Sequence, residues 1–333
     1  MKKNVRVAAV QASTVFLDLD ATIEKGCALI AEAAGNGADL IVFPEAYFPG
    51  YPYFIWLDQP GWQMPFWKRF YENTFTVPGP EMAKLAKAAR DNNIFVCASG
   101  TERDGGSLYL TQVWFDRDGN IMGKHRKIRP TGVERTVWGN GDGSMMQVYD
   151  TEIGRLGGLQ CWEHLMPTNS IIMDSMNEQI HAASWPAFAW DPNSIHHVDT
   201  PNCATKYYAM VTGTFAVMAG EVLSQDAIDQ MCGDRDELRE IYKAGWAPGA
   251  KIFNPSGKVI SKEDFAHDEE GIAYADCDLS EIALAKYHMD CAGHYSNTGV
   301  ARVVFNKNPQ PVVTAIGDDS DYSLTYEEVQ SAQ

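Results

Sequence analysis

The sequence lacks several features that mark other classes of protein. It has 27 Lys and Arg against 44 Asp and Glu, which gives a net charge of −17 at pH 7. Such a chain repels nucleic-acid phosphates and anionic lipid, which argues against nucleic acid and membrane surfaces as partners. No apolar run approaches the ~20 residues of a membrane span, and the apolar part of the N-terminus is too short for a secretory signal.

The cysteines are too irregularly spaced for a disulfide framework. The seven cysteines stand at positions 27, 97, 161, 203, 232, 277 and 291, and no C-x-x-C occurs. An odd count with irregular spacing is typical of reduced thiols, whereas zinc sites usually need closely spaced pairs of ligands. The sequence therefore predicts a cytoplasmic protein with free thiols, and it does not support a metal site.

Strand and helix patterns alternate along the chain. Residues 5–12 form an apolar run typical of a buried strand, and the helical pattern that follows has Asp20 as its expected N-cap. Hairpin signals in the middle of the chain indicate antiparallel strands. The alternation predicts an α/β fold with a mixed sheet, in one domain over residues 1–295. Residues 296–333 are predicted to form a C-terminal tail that is an assembly arm or partly disordered.

Three apolar segments lead into a reactive side chain. "DLIVFPE" ends at Glu45, "MGKHRKI" contains Lys127 and "LGGLQC" ends at Cys161. Groups at the carboxyl ends of strands collect at one edge of an α/β sheet, where they supply a base, an electrostatic stabiliser and a nucleophile. Each group also has a simpler interpretation. In that interpretation Glu45 is a solvated loop acid, Lys127 belongs to a solvated basic run, and Cys161 is an inert core thiol.

The motifs around these residues resemble those of the nitrilase branch of the carbon–nitrogen hydrolase family. "LIVFPEAYFPGYPY", "GKHRKIRPTGVERTVWGNGDGS" and "GRLGGLQCWEH" are similar to the glutamate, lysine and cysteine motifs of that family. "VAAVQAS", "EQIHAASWP" and "GHYS" also fit, so that the similar segments span nearly the whole chain. The tetrapeptides "CWEH" and "ASWP" are most similar to those of cyanide-degrading and aromatic or arylacetonitrile nitrilases.

The resemblance implies both a fold and an assembly. The implied fold is a four-layer α-β-β-α sandwich with mixed sheets, and dimerisation is expected to extend the sandwich. The implied assembly is a homo-oligomer whose dimers stack into spirals or filaments. The resemblance also implies a small nitrile as the substrate, with no metal and no organic cofactor.

The resemblance further assigns roles to four residues. It implies Glu45 as general base, Lys127 as positive stabiliser and Cys161 as nucleophile, while Glu134 of "GVER" positions the first carboxylate and the lysine. An ordinary ion pair of Glu134 with a neighbouring arginine is the alternative. The implied reaction converts a nitrile into a carboxylic acid and ammonia through a cysteine thioimidate and an acyl-enzyme. Cyanide hydrolysis to formate or formamide is the closest alternative, and amide hydrolysis is a more distant one.

Five further residues are candidates for substrate contact because they fall in or beside the motifs. They are Tyr51, Trp162, His164, Trp185 and Pro186. The alternative for an aromatic residue here is a place in the core, and His164 has a second alternative as the cap of the following helix. The segment 188–202 matches no motif of the family and lies where the family varies with substrate.

Overall fold

The computed structural model describes residues 3–187, 199–242, 247–314, 316 and 325–331. Strands and helices alternate through most of these ranges, as the sequence patterns predict. No helix in the described ranges combines the length and the apolar character that crossing a bilayer requires.

The described residues form eleven strands and nine α-helices. The strands are β1 Asn4–Ala12, β2 Leu40–Val42, β3 Phe95–Asp104, β4 Ser107–Phe115, β5 Ile121–Arg126, β6 Tyr149–Thr151, β7 Gly154–Gln160, β8 Ile180–Trp185, β9 Phe215–Glu221, β10 Lys251–Phe253 and β11 Gly271–Asp278. The helices are α1 Leu19–Gly35, α2 Pro60–Glu72, α3 Pro80–Asp91, α4 Pro167–Ser175, α5 Asp199–Thr212, α6 Gln225–Cys232, α7 Asp236–Arg239, α8 Glu281–His288 and α9 Tyr326–Ser331. Short 3₁₀ helices include Gly132–Thr136 and Cys161–Leu165.

All eleven strands join in one continuous mixed sheet. Its main path runs β5-β4-β3-β2-β1-β9-β8-β7-β6, while β11 pairs with β1 and β10 pairs with β9. The pairs along β3-β2-β1-β9-β8-β7 are parallel, and β4, β5, β6, β10 and β11 join antiparallel. The predicted mixed sheet is therefore confirmed.

Alternate residues of the central strands enter different cores, and this alternation gives the molecule its layers. Val5, Val7 and Ala9 of β1 pack in an inner core together with residues of β7, β8 and β9. Ala8 and Val10 of β1 face the opposite way and pack against α1 and α3. The outer residues of β8 and β9 pack against α5. Two halves of the sheet thus face each other between helices, which is the expected four-layer sandwich.

The direction of the strands brings the three reactive positions to one edge of the sandwich. β2, β7, β8 and β9 are connected by parallel pairings, and β5 runs in the direction of β3 because two antiparallel steps separate them. Lys127 directly follows β5, Cys161 directly follows β7, and Glu45 lies shortly after β2. The carboxyl ends of these strands therefore carry the cation, the thiol and the carboxylate on the same side.

The start of α1 differs in detail from the prediction. Asp18, not Asp20, is the N-cap, because its Oδ1 accepts a hydrogen bond from the backbone N of Ala21 at 3.0 Å. Asp20 lies in the first turn, and its Oδ1 is 2.8 Å from the Nζ of Lys84 in a solvent-exposed ion pair. Both aspartates precede the apolar helical pattern, and the sequence does not distinguish between them.

We expect Asp18→Ala to lower the free energy of unfolding by about 1 kcal/mol, because a helix loses its side-chain cap. Asp20→Ala is the matched control and should have a clearly smaller effect, since its ion pair is exposed and screened by solvent. Urea unfolding of both variants at one protein concentration, followed by circular dichroism, compares them. Equal losses in the two variants would contradict the assignment of the cap.

Candidate active site

Glu45, Lys127 and Glu134 form a cluster of charges that is closed off from solvent. The Nζ of Lys127 lies 2.8 Å from Oε1 of Glu45 and 2.9 Å from Oε2 of Glu134. The exposed fraction of each of the three side chains is at most 3%. The structure thus brings together three residues that the sequence analysis selected from two separate motifs.

Glu134 is held by donors on both of its oxygens. Oε1 accepts a hydrogen bond from the hydroxyl of Tyr51 at 2.9 Å, and Oε2 accepts from Lys127 and from the backbone N of Thr131 at 2.7 Å. The Thr131 contact is part of a capping box that begins the 3₁₀ helix Gly132–Thr136. The carboxylate therefore pairs with Lys127 and not with a neighbouring arginine, and its orientation is fixed before any substrate binds.

Cys161 lies at a sharp turn between β7 and the 3₁₀ helix that follows. Its φ is +50°, a left-handed conformation that is unfavourable for residues other than glycine and that recurs at functional sites. Burial raises the pKa of the Cys161 thiol well above its ordinary value, Glu45 raises it further, and Lys127 lowers it. The thiol therefore lies within the electrostatic influence of the buried charges, and it rests in the protonated form.

The two charged neighbours of the thiol have different proton affinities. Burial raises the pKa of Glu45 to about 8, with a further increase from Glu134 and a decrease from Lys127. Burial lowers the pKa of Lys127, but Glu134 and Glu45 raise it more, so that it ends well above its ordinary value. The site consequently holds a permanent cation beside a carboxyl group that gains or loses a proton near neutral pH, as a general base must.

Glu163 connects the two strand ends that carry Lys127 and Cys161. Its Oε1 accepts a hydrogen bond from the backbone N of Ile128 at 2.9 Å, and its Oε2 accepts one from the backbone N of Gln160 at 2.9 Å. These donors are the immediate neighbours of the lysine and the cysteine in the chain. One carboxylate therefore sets the distance between the strand ends.

Sequence reasoning did not single out Glu163 as a functional residue. Burial raises its pKa, but His125, whose Nε2 lies 2.9 Å from Oε2 of Glu163, and the two backbone donors lower the pKa more, so that the carboxyl group stays ionised. A sequence signal was available, because Gln160 and Glu163 have the spacing of a capping box, and the structure forms that box.

Two of the five candidate substrate residues, Tyr51 and Trp162, lie next to the charges or to the cysteine. Tyr51 is buried and its hydroxyl donates to Glu134. Trp162 is partly exposed and packs on the apolar cluster that contains Cys161. Pro186 is buried directly after β8. Contact of these residues with substrate stays a prediction.

The other two candidates lie behind the cysteine, inside the outer layer of the sandwich. Trp185 and His164 are fully buried, and their rings stack with centroids 5.1 Å apart. The indole N–H of Trp185 donates to Oγ1 of Thr205 on α5 at 3.0 Å. This position favours the core interpretation for both residues. Most of the segment 188–202 lies outside the described residues, which begin again at 199.

We expect Glu163→Gln to lower the free energy of unfolding by about 1–3 kcal/mol at pH 7, because the amide group faces a buried backbone N–H with a second donor. The ionised form of Glu163 stabilises the fold above the unfolded pKa of 4.5, and this contribution is lost as the pH falls through the lower folded pKa. The deficit of the variant should therefore shrink towards acid pH. Urea unfolding at several pH values measures the deficit, with the exposed Glu72→Gln as control. A deficit that grows towards acid pH would contradict this assignment.

Comparison with known proteins agrees with this architecture. Residues 6–287 match the family described as carbon–nitrogen hydrolase. The chain is 47% identical over 327 residues to a nitrilase of Bacillus sp. (strain OxB-1), covering 98% of this chain and 95% of that protein. It is 45% identical to an aliphatic nitrilase of Rhodococcus rhodochrous, covering 93% of this chain and 85% of that protein.

Among solved structures, the fold is similar to that of Saccharomyces cerevisiae Nit3, a member of branch 10 of the nitrilase superfamily. The TM-score is 0.68 at 18% identity, and the similarity covers 89% of this chain and 97% of that chain. At this identity the likeness concerns the fold alone. The family match and the closely similar sequences are more specific: the chain belongs to the carbon–nitrogen hydrolase family, in its nitrilase branch.

Proposed function

We propose that this protein hydrolyses a small nitrile to the carboxylic acid and ammonia, with Cys161 as the nucleophile. The observation that carries the proposal is the contact of Lys127 with both Glu45 and Glu134 in a buried site that acts electrostatically on the Cys161 thiol. Extensive sequence identity to proteins named nitrilases supports the nitrile as the substrate class.

The first step forms a carbon–sulfur bond. Because burial keeps the thiol of Cys161 protonated, a base has to remove its proton as the sulfur attacks the nitrile carbon. In our proposal Glu45 takes this proton and passes it to the nitrile nitrogen, which leaves a thioimidate. Lys127 stabilises the negative charge that develops on nitrogen, and one fixed donor of this kind contributes ~3 kcal/mol.

Two water molecules complete the reaction. Glu45 takes a proton from the first water, whose oxygen adds to the thioimidate carbon, and passes this proton to the nitrogen. The proton of the new hydroxyl group then moves through Glu45 to the same nitrogen as the carbon–nitrogen bond breaks, so that ammonia leaves and a thioester carbonyl remains. A second water, activated in the same way, breaks the carbon–sulfur bond of the remaining thioester and releases the acid. If the carbon–sulfur bond breaks first, the product is the amide, and only one water is consumed. Glu134 holds Lys127, and through it Glu45, in position during all of these steps.

The covalent route makes separate predictions for three variants. Cys161→Ala should abolish nitrile turnover, and Cys161→Ser should retain little of it, because a hydroxyl is a weaker nucleophile than a thiol. Glu45→Gln should lower kcat by about 10²-fold or more, since a positioned base contributes that much. Ammonia release measures all three, and circular dichroism checks that each variant is folded. Turnover retained in a folded Cys161→Ala variant would rule out the covalent route.

A substrate panel distinguishes the proposed reaction from its alternatives. Cyanide, an aliphatic nitrile, benzonitrile and phenylacetonitrile are assayed side by side, and both acid and amide are quantified. A nitrilase turns over an organic nitrile and releases mainly acid. Turnover of cyanide alone would select the cyanide alternative, and turnover of amides without nitriles would select the amidase.

We also propose that the protein works as a homo-oligomer in the cytoplasm. Its seven cysteines are free thiols, which suits a reducing compartment. Large apolar side chains are exposed on the outer layer, with Tyr207 and Met210 on α5 and Leu284 and Tyr287 on α8. A second copy of the chain that covers these residues would extend the sandwich by its own four layers. Stacking of such dimers into filaments is part of this proposal.

The assembly proposal predicts a change in molecular mass. We expect Tyr207→Asp and Leu284→Asp each to shift the protein towards the monomer, because a charge is placed in an apolar contact. Met64→Asp is the matched control, since Met64 is comparably exposed but lies on α2. Analytical ultracentrifugation at micromolar concentration measures the masses. A monomeric wild-type protein, or unchanged masses for both variants, would refute this interface.

A further inference from the structure

A chain of buried side chains runs from the backbone of Cys161 to Glu178, a residue that the proposed reaction does not use. The Nδ1 of His164 lies 2.7 Å from the carbonyl oxygen of Cys161, and its Nε2 lies 3.0 Å from the Nε2 of His181. The Nδ1 of His181 lies 2.8 Å from Oε1 of Glu178. All four residues are at most 1% exposed.

The hydrogen atoms in this chain can be counted. Each of the three contacts has hydrogen-bond length and needs one hydrogen. The carbonyl of Cys161 supplies none, so His164 donates through Nδ1, and as a neutral imidazole it accepts at Nε2. His181 must then donate through Nε2 and accept at Nδ1. The donor in the third contact is therefore Glu178, which has to carry a proton.

The other distributions of protons are unfavourable. Two neutral imidazoles with an ionised Glu178 would leave two lone pairs facing each other in one contact. Placing the extra proton on a ring would create an imidazolium in the interior, and burial lowers the pKa of His164 to about 3 and that of His181 well below its ordinary value. Burial likewise raises the pKa of Glu178 to about 8. The neutral acid satisfies every contact without a buried charge.

The surroundings of Glu178 fit an uncharged carboxyl group. The hydroxyl of Tyr208 donates to Oε2, the second oxygen. Lys286 forms an ion pair with Asp174, so its positive charge is balanced by a carboxylate other than Glu178. Four charged or titratable groups face Glu178 from the elements packed around it: His181 on β8, Tyr208 on α5, Asp174 on α4 and Lys286 on α8. Glu178 also lines a cavity of about 340 Å³ together with Arg155 and Asp290.

A glycine leaves the space that this carboxyl group occupies. Gly157 on β7 packs so closely on Glu178 that a Cβ at position 157 would collide with Oε1 of the glutamate. The same strand leads into Cys161, which lies three residues after Gly158, the last glycine of β7. The strand that leads to the nucleophile therefore packs directly against the hydrogen-bonded side chains that hold the carbonyl of Cys161.

We propose that Glu178 is held as a neutral carboxylic acid and that, through His181 and His164, it positions the backbone of Cys161 for attack. The last contact of the chain restrains the carbonyl of a residue whose φ is left-handed. Glu178 is a positioning residue and does not touch the substrate. Its effect on turnover rests on the proposed function, whereas its protonation does not.

The first test uses an amide as a copy of the protonated acid. Glu178→Gln keeps a donor for His181 and an acceptor for Tyr208, so we expect kcat within about twofold of wild type at pH 7. Glu178→Leu keeps neither, and its kcat should fall about tenfold or more with little change in KM, because the loss of buried hydrogen bonds displaces the nucleophile. Equal losses of kcat in the two variants, or a Gln variant that does not fold, would overturn the proposal.

The second test measures the proton through stability. The folded carboxyl holds its proton up to about pH 8, whereas the unfolded group loses it near 4.5, so the contribution of Glu178 to stability falls as pH rises between these values. Glu178→Gln lacks this loss, and its Tm should therefore rise relative to wild type from pH 5 to pH 8. Glu72→Gln is the exposed control and should show no such trend.

A Tm difference between Glu178→Gln and wild type that does not depend on pH would show an ordinary ionised carboxylate and would overturn the proposal. This measurement needs no substrate. Absence of nitrile turnover in the wild-type protein would refute the proposed function and leave the result on Glu178 intact, so the two failures can be told apart.

Discussion

The site depends on one ammonium group that is held out of water between two carboxylates. A lone buried cation would cost several kcal/mol in desolvation, and a partner on each side offsets that cost. The two partners are not equivalent. Both oxygens of Glu134 have donors, whereas Oε2 of Glu45 has no hydrogen-bond partner among the described residues. A proton arriving at the cluster therefore goes to Glu45, and Lys127 keeps its charge.

The strand pattern and the strand ends were predictable from the sequence because they follow from local rules. Apolar runs identify buried strands, and parallel strands present their carboxyl ends at one edge, which is why Glu45, Lys127 and Cys161 could be grouped. α2 was not predicted, because Pro65 interrupts its pattern and its apolar residues are mixed with turn formers. The pairing of β1 with β9 joins residues about two hundred positions apart, and no local pattern encodes it.

The supporting residues of the site were harder to predict than the reactive ones. Glu163 acts on backbone N–H groups, which every residue type except proline carries, so its partner Ile128 leaves no mark in the sequence. The chain through His181 and Glu178 also depends on the packing of β8 against β7, which places His181 within reach of His164. The spacing of Glu178 and His181, three residues apart, is by itself common. Only the three-dimensional contacts give these side chains a role.

The two-sided burial of β1 limits how this chain can change in length. Successive side chains of a strand point to opposite faces, so one residue inserted near Val7 would exchange the occupants of the inner core and the helix-facing core downstream of it. An insertion directly before Val7 would turn Val7 towards the helices and put Ala9 where Val10 now fills space. Gains or losses of an odd number of residues are thus incompatible with this strand. We therefore expect insertions and deletions to be tolerated in connections outside the layers, where no alternation has to be preserved.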